Sequence, residues 1–238
     1  MGLSVIYGNV GTGKTTVARR IYQQFQDSDK HQVVMLIHPD YPTPNQLLRA
    51  IVQEFKIGKT AQAKLDLLNL FKEYLVEQAI NQNKTQVLLI DEAQTMRAPL
   101  LELLRQLLNI ETSQQKLLQI VLFGQDELGR RLDLKPNLKS RVALYGVLSP
   151  LGPEDTHSML DFRYQVAGGK ELPFSKDATE SIFKYSKGLP REVVKLADNA
   201  LIKAMARDKK LVDKALIDET AKELRLGEEF ELKSKGKK

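Results

Sequence analysis

The stretch Gly8-Asn9-Val10-Gly11-Thr12-Gly13-Lys14-Thr15 sets glycines, a lysine and a hydroxyl at the spacing a triphosphate requires. Glycines let successive backbone N–H groups converge on phosphate oxygens, where a side chain would obstruct them. A helix that starts at the end of the loop points its N-terminus at the same anion. Lys14 would reach the β- and γ-phosphates, and the Thr15 hydroxyl would ligate Mg2+. The candidate nucleotide-binding set is therefore Gly8, Asn9, Val10, Gly11, Thr12, Gly13, Lys14, Thr15 and Thr16, for ATP with Mg2+. Downstream, the apolar run Val87-Leu88-Leu89-Ile90 ends in Asp91-Glu92. A buried strand there would deliver Asp91 beside the loop to hold the metal, directly or through water. Glu92, the next residue, would polarise the attacking water. An apolar run ending in acids is weak alone; paired with the loop it is a specific signal. A protein that only binds nucleotide needs no second acid, so Glu92 argues for hydrolysis.

These side chains need a scaffold that brings strand ends together. Apolar spacing predicts strands over residues 3–7, 33–38, 87–90, 119–123 and 142–147. It predicts helices over 15–25, 61–82 and 99–110, and another capped by Asn45 and carrying Leu48, Ile51, Val52 and Phe55. Continuous apolar strands alternating with helices argue for an α/β fold, a P-loop NTPase with a five-stranded parallel sheet covered on both faces. From about residue 149 the alternation stops, and residues 153–167, 175–187, 190–207 and 212–225 all read as helices. The expected organisation is a nucleotide-binding domain over 1–149, a small all-α lid over 150–226 and a basic, disordered tail over 227–238.

Composition narrows the classes. The chain of 238 residues is 42% apolar and 28% charged, as in a globular protein. It has no Cys, which excludes a disulfide framework, a Cys-ligated zinc and a thiol nucleophile. Its three His are scattered and offer no structural metal site. The net charge is +6, part of it in the tail lysines Lys233, Lys235, Lys237 and Lys238. Contact with DNA is one reading of that charge; a plain solvated tail is the other. No run approaches the roughly 18 apolar residues that span a bilayer, and no targeting segment is visible, so a cytoplasmic protein is expected.

The loop, Asp91-Glu92-Ala93-Gln94 and the ensuing helical region together resemble an AAA+ ATPase. More narrowly, LLIDEAQTM, the following LLELLRQLLNIETSQQKLLQIVLFGQDEL and KGLPREVVKLADNAL are similar to the ExeA/GspA branch, close to transposon TnsC/TniB-type ATPases and replication initiators. The resemblance covers residues 3–226 and implies further roles. The tip of the fourth strand, Phe123-Gly124-Gln125, falls where the family contacts the γ-phosphate or attacking water, which makes Gln125 a catalytic candidate. The family has Pro after that Gln; here Asp126 stands there and is expected to loosen the turn. Arg141, just before the fifth strand, matches the arginine finger that reaches the ATP of a neighbouring subunit, with Arg130 and Arg131 as nearby competitors. That role implies a homo-oligomer, a ring or a filament. Arg191 in Gly188-Leu189-Pro190-Arg191 matches the lid arginine that senses the γ-phosphate.

The catalytic set implied is Lys14, Glu92, Gln125, Arg141 and Arg191, with Thr15 and Asp91 on the metal. The implied activity is ATP hydrolysis at subunit interfaces to assemble or switch a partner. Alternatives kept open are an ATP-gated DNA platform of the TnsC kind and an assembly ATPase for secretion or pili. Relatives in this family usually carry a helical segment ahead of the first strand, packed on the adenine and the neighbouring subunit. Here the loop begins at residue 8, so the resemblance implies either a trimmed chain, with weak base selectivity and weak assembly, or an adenine that rests on the lid alone.

Overall fold

In the computed structural model, residues 2–58, 63–112 and 116–226 are described. The first residues of the helix expected over 61–82, and the whole expected tail, lie outside them. The chain divides into two compact units, one ending at Leu148 and one starting at Ser149.

The first unit is built on strands β1 (Leu3–Gly8), β2 (His31–Leu36), β3 (Thr85–Ile90), β4 (Leu118–Gly124) and β5 (Val142–Leu148). They form one sheet in the order β2-β3-β4-β1-β5, with every pairing parallel. The helices are α1 (Lys14–Phe25), α2 (Pro44–Glu54), α3 (Lys64–Ile80), α4 (Ala98–Leu107), α5 (Asp126–Asp133) and α6 (Pro136–Lys139). The inner strands are covered on both sides, as parallel sheets require, whereas the edge strand β5 keeps Leu144, Tyr145 and Val147 exposed. Leu88 and Ile90 of β3 face a large cluster with Leu48, Ile51, Phe71 and Leu104 from α2, α3 and α4. The alternating residues Val87 and Leu89 face the other way, with Ala18, Val17 and Ile21 of α1 and Phe123 of β4. This period of two on a fully apolar strand holds β3 between two layers, so its C-terminal residue has little freedom to shift.

Three local expectations are corrected. The α2 N-cap is Thr43, whose hydroxyl accepts the Gln46 N–H at 3.3 Å, and Asn45 lies inside the helix. Pro44 at the first position explains the shift, because its fixed φ suits a helix start and it has no N–H to satisfy. Helices α5 and α6 fill the segment between β4 and β5, where no helix was expected. Asp126, expected to loosen a turn, is the first residue of α5, with Gln125 as N-cap. A carboxylate there favours the helix through its dipole, at a position that also accepts proline.

The second unit consists of α7 (Pro153–Val166), α8 (Lys176–Ser186), α9 (Pro190–Ala206) and α10 (Lys214–Glu223). Its core joins Leu160, Ile182, Val193, Leu196, Ala200, Leu216 and Ile217. Gly188 sits between α8 and α9 at φ +71°, and a Cβ there would lie 2.0 Å from the Leu151 carbonyl oxygen. The Leu151 N–H donates to Gly188 O at 2.9 Å, so the entry strand and the α8–α9 turn are joined through backbone alone.

Candidate active site

The loop after β1 is shaped by its glycines. A side chain at Gly8 would meet Thr12 Oγ1 at 2.5 Å and the Leu148 carbonyl at 3.1 Å. Gly11 and Gly13 have φ of +84° and +96°, the left-handed region that glycine enters freely. The loop is closed by Thr12, whose hydroxyl donates to Asn9 O at 2.9 Å. Gly13 caps α1 without any side-chain hydrogen bond, and the first turn of α1 carries no acid. The bare N-terminus of a twelve-residue helix therefore opens onto the loop. Lys14 is buried, and its Nζ donates to Gly8 O at 2.7 Å and Asn9 O at 2.9 Å. Asn9, Val10 and Thr16 are exposed on the surface around it.

Parallel pairing brings four strand ends to one edge. Tyr7 pairs with Gly124, Ile90 with Leu122, and Leu36 with Ile90. Asp91, only 1% exposed, leaves β3 at that edge, and its N–H donates to Leu36 O at 2.9 Å. Its Oδ2 accepts the Thr15 hydroxyl at 2.5 Å, and its Oδ1 accepts the Glu92 N–H at 2.9 Å. Thr15 and Asp91 are thus in direct contact across 76 residues of sequence. Glu92 has φ +55° and ψ +35°, an uncommon conformation for a residue with a side chain, and it leads a short 3-10 turn over Ala93–Thr95. The turn is fixed by the Thr95 hydroxyl, which donates to Glu92 O at 2.9 Å.

Gln94, at the end of the Asp91-Glu92-Ala93-Gln94 run, is a functional candidate that the sequence does not single out. Its Nε2 donates to Glu92 Oε2 at 2.5 Å, and its Oε1 accepts the Gln125 N–H at 3.2 Å. The only sequence signal for it is an amide two residues beyond the second acid. Gln125 itself is half-buried at the β4 tip. Arg131 of α5 donates from Nη1 to Met96 O at 2.7 Å, which ties it inside its own chain; Arg130 is exposed. Tyr7, one residue before the loop, stacks on Tyr145 of β5 with ring centroids 6.1 Å apart. Burial, then the neighbouring Tyr145 and Asp133, pushes the Tyr7 hydroxyl up to about 12, so it stays protonated at neutral pH.

Two candidates remain. Arg141 precedes Val142, and Val142 pairs with Leu3, at the start of β1. The loop leaves from the far end of β1, at Gly8, which pairs with Leu148. The span between those two levels is about 17 Å at ~3.3 Å per residue. Arg191 belongs to the helical unit, exposed at the second position of α9.

These residues fit a magnesium nucleotide. Open glycine dihedrals, an uncapped helix N-terminus and a buried lysine suit phosphate oxygens. The donors for a metal are a hydroxyl and one carboxylate, with no cluster of three His, Cys, Asp or Glu among the described residues. That donor set suits Mg2+, which takes one or two protein oxygens and completes its shell with phosphate and water.

A family model described as an AAA domain matches residues 1–132. General secretion pathway protein A of Aeromonas hydrophila is 38% identical over 209 residues, covering 87% of this chain and 38% of that protein. The Aeropyrum pernix ORC2 protein, solved with ADPNP and ADP, has a TM-score of 0.72 at 19% identity, over 93% of this chain and 62% of its own. The ORC1 protein of the same organism, solved in complex with DNA, has a TM-score of 0.68 at 19% identity, over 94% and 59%. The chain therefore spans well under half the length of its secretion relative and about three-fifths of the ORC chains. The two structural likenesses establish the fold, a parallel sheet followed by a helical part. No helix among the described residues is long and apolar enough to cross a membrane.

Proposed function

Because the chain belongs to the AAA family of P-loop ATPases, we propose that it hydrolyses Mg-ATP at sites shared between copies of itself, in the cytoplasm, and uses the cycle to assemble or switch a partner. The observation that carries this reading is the placement of Arg141. It starts the strand at the end of the sheet opposite the loop, about 17 Å away along β1. A side chain that far off serves a transition state in another copy more readily than in its own.

The roles proposed are these. Lys14 exchanges the Gly8 and Asn9 carbonyls for β- and γ-phosphate oxygens, and the N–H groups of the loop and α1 hold the rest of the chain of phosphates. Thr15 and Asp91, already in contact, would hold Mg2+. When bound, the metal would neutralise charge developing on the phosphates. Glu92 accepts a proton from the attacking water, and Gln125 orients that water or the γ-phosphate. Arg141 of a neighbouring copy stabilises the charge on the transferring phosphoryl group. Arg191 carries the presence of the γ-phosphate to the helical unit.

The test mixes two inactive proteins. Glu92→Gln keeps ATP binding and stops turnover; Arg141→Ala also stops turnover. Mixed together, they regain activity in hybrid sites that combine an intact Glu92 with an intact Arg141. No recovery at any ratio would sink the shared site.

For the process served, the likeness to General secretion pathway protein A favours a partner in a secretion assembly. A second reading, an ATP-gated platform on DNA, is supported by the +6 charge and by the solved neighbour that holds DNA. Binding to duplex DNA at low salt, measured with and without ATP, separates the two. Absence of any affinity with ATP present removes the DNA reading.

A further inference from the structure

We propose that Gln94 is a positioning residue that joins Glu92 to the tip of β4, so that the proton acceptor and the Gln125 tip move as one body. The inference rests on the role given to Glu92 above. Its basis is the two-sided use of one carboxamide. Gln94 Nε2 meets the Glu92 carboxylate at 2.5 Å, and Oε1 meets the Gln125 N–H at 3.2 Å. An ionised carboxylate can only accept and a backbone N–H can only donate, so the orientation of the amide is set by its partners. Glutamate could not donate to Glu92, lysine could not accept from Gln125, and asparagine is one methylene shorter.

The surroundings are arranged for this contact. A Cβ at Gly124 would lie 2.6 Å from Leu128 Cδ2 and 3.3 Å from Gln94 Oε1, so the bare glycine leaves room for the amide beneath the strand tip. The turn that carries Gln94 is held at both ends. Thr95 Oγ1 donates to Glu92 O at its start, and Arg131 Nη1 donates to Met96 O at its end. Arg131 stands on α5, the helix that Gln125 caps. The glutamate turn and the β4–α5 junction are therefore bonded at two points, and only one of them reaches the reacting carboxylate. Gln94 spends both ends on groups next to the chemistry.

Two substitutions separate the two ends. Gln94→Met keeps the volume and removes both hydrogen bonds. Gln94→Glu keeps the acceptor for Gln125 and removes the donor to Glu92. In the nucleotide-free protein, Gln125 amide hydrogen exchange should quicken about tenfold in Gln94→Met, the equilibrium factor of one lost hydrogen bond, and stay at the wild-type rate in Gln94→Glu. In both, kcat should fall by up to about 100-fold, while KM and affinity for a non-hydrolysable ATP analogue stay unchanged. Wild-type exchange at Gln125 in Gln94→Met, or wild-type kcat in either variant, overturns the proposal. If either variant does not fold, Gln94→Asn is measured in its place, with loss of both protection and kcat expected. Glu92→Gln run alongside keeps the two readings apart. Normal turnover there refutes the role of Glu92, whereas a dead Glu92→Gln with an unaffected Gln94→Met refutes Gln94 alone.

Discussion

The two ends of the sheet are built differently. At the end where β1, β3 and β4 finish, the polar side chains are bonded to neighbouring side chains and backbone groups. Lys14 lies on Gly8 and Asn9, Thr15 on Asp91, and Gln94 on Glu92 and Gln125. At the end where β5 starts, Arg141 is half-buried and has no side-chain hydrogen bond or ion pair among the described residues. The strand it leads is the sheet edge, with Leu144 and Val147 exposed. The first end is a site that one chain can set in place. The second presents a cation with no bonded partner among the described residues.

The sharpest way to break this contrast is Arg141→Ala. Turnover should fall about 10³-fold with ATP affinity unchanged, since an arginine finger acts on the transition state. A loss of ATP binding in a titration with labelled nucleotide would mean that Arg141 serves its own loop after all. Next in size is Lys14→Ala. It removes charge-assisted bonds to phosphate, so affinity should drop by up to about 100-fold. Mixing with wild-type copies should not restore the affinity of the altered subunit; if it does, the two ends are less distinct than drawn here. Arg131→Ala should do less. It frees the Met96 carbonyl and should lower stability by about 1–3 kcal/mol in urea unfolding, with nucleotide affinity kept. A change in affinity instead would place Arg131 in the site.

The smallest effect is expected in the helical unit. The Arg207 guanidinium beside Glu219, bonded at 2.8 and 2.6 Å, holds that carboxyl down at about 2. The folded value is lower than the unfolded one, so the pair stabilises above the ordinary carboxylate value of 4.5 and is lost as pH falls toward 2. The pair is exposed and screened, so Glu219→Gln should lower Tm only slightly at pH 7, with a smaller difference near pH 3 and no change in turnover. A Tm difference that grows on acidification would contradict the sign.

The loop and Asp91-Glu92 were legible because their signals are local. The glycines, the lysine and the apolar run before the acids need no knowledge of the rest of the chain. The sheet was legible because apolar strands alternate with helical spacing. Helix α5 was not. Its sequence, Asp-Glu-Leu-Gly-Arg-Arg-Leu-Asp, offers only Leu128 and Leu132 to a helical pattern and places Gly129 between them. Gln94 and Gln125 are 31 residues apart, and only the parallel register of β3 and β4 brings them together. The distance of Arg141 from the loop was hidden for the same reason, since it follows from which residue of β1 Val142 meets.

The two bonds from Lys14 to the carbonyls of Gly8 and Asn9 have a consequence for entry to the site. The cation is already neutralised in part by its own backbone, and the loop is held shut by it. An anion that enters the cradle would have to replace two carbonyl acceptors of Lys14, an exchange that a compact multiple anion favours most.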